Sequence, residues 1–157
     1  MLHAEEIASA DERVVIMAFG AEDYTRDVGA RRTRDALLYA RSRIVAACAA
    51  AGIQASDTVY ADVDDEEGLI DETKHIRDLG FVGKGAINPR QIEPIHGVFR
   101  PTDEEVEQAR KIISVAREAE EKGIGAVAIG GKMIDKPVLE RAKRTVELAD
   151  RLQGGWL

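Results

Sequence analysis

The sequence predicts an α/β protein, and three observations carry that expectation. Short apolar runs alternate with longer stretches whose apolar residues recur every three or four positions. Glycines close most of these segments. The distance from one run to the next suits βαβ units, which imply parallel strands joined by right-handed crossovers.

Taken in order, residues 1–10 read as a helix with no capping residue ahead of it. Val14–Phe19 is a continuous apolar run stopped by Gly20, the pattern of a strand buried on both faces. A polar loop follows. Leu37, Ala40, Ile44, Ala47, Cys48 and Ala51 then share one helical face that ends at Gly52, and Cys48 lies on it as a small core residue. Thr58–Val63 reads as the second strand, and Asp64–Glu67 suits the positive end of the helix carrying Leu69, Ile70, Thr73 and Ile76 to Gly80. Phe81–Ile87 is the third strand, stopped by Asn88-Pro89. A short helical turn over Gln91–Ile95 follows, limited by Pro94. Thr102 to Glu105 form a capping box for a helix running to Gly123. Ala126–Ile129 and Lys132–Ile134 flank Gly130-Gly131 as a β-hairpin, and Pro137 opens a last helix.

Composition narrows the function classes. The 157 residues carry 22 Lys+Arg against 29 Asp+Glu, a formal charge of −7, which argues against a nucleic-acid binder. A 45% apolar and 32% charged chain folds as a globular domain. The single Cys48 fits a reducing cytosol and excludes an internal disulfide framework. No apolar run is long enough to span a bilayer, and no basic n-region marks a signal peptide, so a cytoplasmic protein is expected.

Ligands in α/β folds gather at the C-terminal ends of the strands. Those ends are residues 20–24, 62–65 and 88–90, and two of them are acidic, which suits a hard divalent cation, while spacing alone favours helix caps or solvated loops. Arg31, Arg32 and Arg34 read as a charged loop, with an acyl-CoA phosphate as the other use for them. Lys84 and Arg90 flank the third strand end without a motif, and Asp62 and Asp65 read as caps. His3, His75 and His96 lack metal-ligand spacing, and no Gly-rich phosphate loop supports a flavodoxin-like binder.

Five ordered segments say more: residues 20–27, 38–43, 62–69, 86–92 and 131–138. Together they closely resemble the C-terminal portion of citrate lyase β subunits, the citryl-CoA lyases of the HpcH/HpaI aldolase family. The resemblance runs from about Ala4 to Ala149. It implies the C-terminal part of a TIM-type (β/α)8 barrel, with three barrel strands here, plus a hairpin-helix extension. The partial barrel would occupy residues 1–123 and the extension 124–157, packed on a neighbouring subunit. The implied reaction is Mg2+-dependent retro-aldol cleavage of citryl-CoA to acetyl-CoA and oxaloacetate, with a related acyl-CoA as the other substrate left open. Asp23 of the Gly20-Ala21-Glu22-Asp23 turn corresponds to a metal ligand, and Asp135 to a catalytic carboxylate reaching a neighbouring subunit's site. Asp135 also reads as the N-cap of the last helix. The family's metal-binding Glu and substrate Arg are expected upstream, supplied by a partner chain that completes the barrel. A homo-oligomer is implied, and the alternative is a non-catalytic α/β module that self-associates.

Overall fold

The computed structural model describes residues 1–121 and 127–153, which fall into two compact units, Met1–Phe99 and Arg100–Leu157. The expected boundary between residues 123 and 124, the helix stop at Gly123 and the strand start at Ala126 lie outside the described residues.

The first unit is built on a parallel sheet ordered β1 (Ile16–Ala18), β2 (Gln54–Asp57) and β3 (Gly83–Lys84). Helix α1 (Ala4–Ala8) precedes β1, α2 (Ala21–Val28) and α3 (Arg34–Ala51) link it to β2, and α4 (Glu66–Leu79) links β2 to β3. A 3-10 turn at Pro89–Gln91 runs into α5 (Ile92–Phe99). Phe19, Leu37, Ala40, Ile44, Cys48, Ala55, Ile76 and Phe81 form the core, so α3 and α4 cover one sheet face. Ala4, Ala8 and Ala47 seat α1 on α3 through small side chains.

The opposite sheet face is bare. Ile16, Ala18 and Gln54 are exposed, while Ser56 and Gly83 in register with Ala18 are half-buried. The first strand was expected to be buried on both faces; instead Val15 is 67% and Ile16 48% exposed. Backbone pairing nonetheless runs beyond the short strand, from Gln54 N–H on Val15 O to Phe19 N–H on Ser56 O.

The second strand is a correction. It is Gln54–Asp57, not Thr58–Val63. Its inward positions hold Ala55, small enough for α3 to approach, and Asp57, an ion-paired carboxylate, so no apolar run marks it. Thr58–Val63 leaves the sheet as a rim loop, where the Gln91 amide donates to Tyr60 O at 2.9 Å. The polar loop expected after Gly20 is α2, stopped by Gly29 at φ 68°. Pro94 does not limit α5, because it falls in the helix's first turn.

The second unit holds α6 (Asp103–Glu121), the antiparallel hairpin β4 (Val127–Ile129) and β5 (Lys132–Ile134), and α7 (Lys136–Gln153). The expected capping box is present: Glu105 N–H donates to Thr102 Oγ1 and Thr102 N–H to Glu105 Oε2. Gly130 and Gly131 take φ of 55° and 78°, the positive values a two-residue hairpin turn requires. Among the described residues no helix is long and apolar enough to cross a membrane.

Candidate functional site

The C-terminal ends of the three parallel strands share one rim, and beneath it lies a buried ionic cluster that the sequence did not announce. Asp57, the last residue of β2, is fully buried. Arg41 on α3 grips it bidentately, Nε to Oδ1 at 3.0 Å and Nη2 to Oδ2 at 2.9 Å. Lys84 of β3, in register with Asp57, donates to the same Oδ2 at 3.1 Å, to Thr58 O at 2.9 Å and to Glu72 Oε1 at 2.6 Å. Glu72 on α4 also meets Arg41 Nη2 at 3.3 Å. Two carboxylates thus face two cations, the pairing that a buried charge requires. Burial pushes the Glu72 carboxyl up, but Lys84, then Arg41 and Arg32, outweigh it, and the net direction is down.

Arg32 carries the cluster to the surface. Its Nη2 lies 3.6 Å from Glu72 and donates to Val59 O just past β2. Its Nε stands 2.8 Å from Glu22 Oε1, an ion-pair distance at which the N–H is not aimed at the oxygen. Farther along the rim Tyr60 donates to Asp65 Oδ2 at 2.6 Å, and that hydrogen bond, with burial added, pushes the phenol up to about 12. Asp65 also caps α4 through Gly68 N–H. A Cβ at residue 68 would lie 2.1 Å from Asp65 Oδ2 and 2.2 Å from the Tyr60 hydroxyl, so any larger residue there must displace this pair. Asp62, Asp64, Asp65, Arg90 and Gln91 line a shallow groove beside this pair, and Arg90 meets Asp64 at 3.1 Å.

Of the residues singled out from the sequence, Asp23 stands in the first turn of α2 at the end of β1, 75% exposed and 3.1 Å from Arg26. Its neighbour Glu22 is held by Arg32. Asp135 is in the second unit, accepting from Val138 N–H at 3.0 Å as the N-cap of α7. Among the described residues no three His, Cys, Asp or Glu side chains converge to hold a metal. An octahedral Mg2+ takes six oxygens, so Asp23 fits as one ligand and these residues do not make a complete site. Arg31 is exposed, as a charged loop predicts, but Arg34 opens α3 and pairs with Asp71, and the Arg32 side chain is largely buried. Arg41, Asp57 and Glu72 were missed altogether. The one available signal was an Arg on the apolar face of α3, four residues from Leu37 and three from Ile44.

Comparison with known proteins adds an independent line. The family model for HpcH/HpaI aldolase/citrate lyase matches residues 1–89. The citrate lyase subunit beta of Haemophilus influenzae is 50% identical over 148 residues, covering 93% of this chain and 51% of that protein. Its Escherichia coli counterpart is 46% identical over 149 residues, 94% of this chain and 49% of that one. The crystal structure of the Mycobacterium tuberculosis protein CitE with magnesium, acetoacetate and coenzyme A superposes with a TM-score of 0.81 at 36% identity, over 94% of this chain and 56% of that one. The chain spans about half the length of the curated relatives it matches.

Proposed function

Because the chain belongs to the HpcH/HpaI aldolase/citrate lyase family, we propose that it works as the C-terminal part of a citrate lyase β-type enzyme in the cytoplasm. The single observation that carries this reading is the 50% identity along 93% of the chain to a citrate lyase subunit beta. The bare face of the β1–β3 sheet supports the fold half of the proposal, since Ile16 and its neighbours in register are the side chains a closed (β/α)8 barrel would enclose. Residues 1–123 then belong to the barrel and 124–157 to an extension on a neighbouring subunit.

The reaction is cleavage of citryl-CoA to acetyl-CoA and oxaloacetate, or of a related 3-hydroxyacyl-CoA to acetyl-CoA and its own 2-oxo acid. The bond between the hydroxyl-bearing carbon and the acetyl carbon breaks, the hydroxyl proton leaves to a base, and the acetyl-CoA fragment departs as an enolate that takes up a proton. Mg2+, when bound, supplies Lewis-acid polarisation of the substrate oxygen. Asp23 is the ligand this chain contributes, its exposure leaving it free to exchange Arg26 for a cation. The remaining oxygens would come from substrate, water and residues outside this stretch, the expected Glu among them. Asp135 is the candidate proton carrier, its carboxylate oriented by Val138 N–H.

The test is turnover of citryl-CoA by this chain assembled with a chain supplying the upstream barrel strands. Asp23→Asn abolishes cleavage while the fold survives, and mixing Asp23→Asn with Asp135→Asn subunits restores part of it. Background activity in the full assembly overturns the reading. The alternative, a self-associating module without catalysis, draws on the exposed Val15, Ile16 and Val82. Its mark is a stable homo-oligomer that responds to neither Mg2+ nor acyl-CoA.

A further inference from the structure

The three arginines after α2 are not alike. Arg34 pairs with Asp71 and Arg31 is exposed, whereas the Arg32 side chain is only 22% exposed and touches three different segments. One is Glu22 in the first turn of α2, one is the Val59 carbonyl just past β2, and one is Glu72 of α4. Glu72 cannot easily follow a moving partner, because Lys84 and Arg41 hold it at 2.6 and 3.3 Å.

Helix α2 needs such support. It has eight residues, its N-cap is Gly20, and no side chain caps it. A helix this short is marginal on its own, so where it lies must come from tertiary ties. One tie is Ala21 N–H on Thr58 Oγ1, a long hydrogen bond at 3.3 Å. The Arg32–Glu22 pair is another, beside the packing of Ala21 and Tyr24 on the core, and it acts on the residue next to Asp23.

We infer that Arg32 is a positioning residue: it staples the first turn of α2, and Asp23 with it, to the end of β2, with Glu72 as the carboxylate that steadies it from below. A guanidinium suits the role because its planar fork serves acceptors lying in different directions, which a lysine ammonium does less well. The use of Asp23 in catalysis rests on the proposed lyase function; the staple itself does not.

Amide hydrogen exchange and carboxyl-carbon NMR on the full 157-residue chain test it. The probe is the Tyr24 amide, which donates to Gly20 O in the first turn of α2. Arg32→Gln speeds its exchange about tenfold and shifts the Asp23 carboxyl signal, while amides of α3 and β2 keep their protection. Arg32→Lys recovers part of both changes. Glu22→Gln, at a 64% exposed side chain that puts folding at no risk, speeds Tyr24 exchange about threefold. The inference is overturned if Tyr24 exchange stays within about twofold of the parent in Arg32→Gln and Glu22→Gln. It is equally overturned if Arg32→Gln loosens β2, α3 and α2 alike, since Arg32 would then serve general stability. Neither outcome depends on turnover, so failure here leaves the lyase reading intact.

Discussion

Asp57 and Asp23 sit at the ends of neighbouring strands and do opposite work. Asp57 is fully buried, with three hydrogen bonds from Arg41 and Lys84. Asp23 is 75% exposed and meets a single arginine across one helical turn. The first carboxylate has been desolvated once, on folding, and cannot change partners without stranding two buried cations. The second gains little from its pair and gives it up at small cost. A ligand-binding carboxylate must be of the second kind, and a rigid rim to present it requires the first.

The comparison breaks most visibly at Asp57. Asp57→Asn leaves Arg41 and Lys84 short of a charge and is expected to cost about 3–5 kcal/mol in urea unfolding. A loss below about 1 kcal/mol would mean the cluster is no scaffold. Glu72 gives the next effect, through pH. Its carboxyl is held below the ordinary value of 4.5, so the stability it contributes is fully present above that value and is lost as pH falls through the lower folded value. Unfolding free energy should therefore drop below about pH 4.5, and Glu72→Gln should flatten that acid limb. An unchanged limb would remove Glu72 from the linkage.

Asp135 separates capping from chemistry. Asp135→Ala should cost about 1 kcal/mol by freeing Val138 N–H, whereas Asp135→Asn caps equally well and should leave thermal stability alone. If the Asn variant lost as much as Ala, the carboxylate charge rather than the cap would be holding α7. The smallest effect is at Asp23, where Asp23→Asn should change stability by less than about 0.5 kcal/mol. A larger loss would make it a structural residue like Asp57 and sharpen the comparison against its proposed use.

Legibility followed the same division. The capping box at Thr102, the Gly130-Gly131 turn and the glycine stop of α3 were all readable, because each acts through chain neighbours. The sequence reads α2 as loop because its eight residues are mostly polar and too few to establish a period, although Ala21, Tyr24 and Val28 do fall at helical spacing. Of the site, Asp23 and Asp135 were legible only through resemblance, and the structure keeps them in separate units.

The sequence by itself determined the α/β class, the parallel strands and the glycine or capping limits of α3, α4 and α6, because periodicity, caps and glycines are local properties of the chain. Tertiary structure alone decided that a strand could read Gln-Ala-Ser-Asp. Asp57 meets Arg41 from 16 residues away and Lys84 from 27, and only the β2–β3 register with α3 packed behind it brings their charges into one buried cluster. A buried charge is acceptable only with its partners in place, and those partners are remote in the chain.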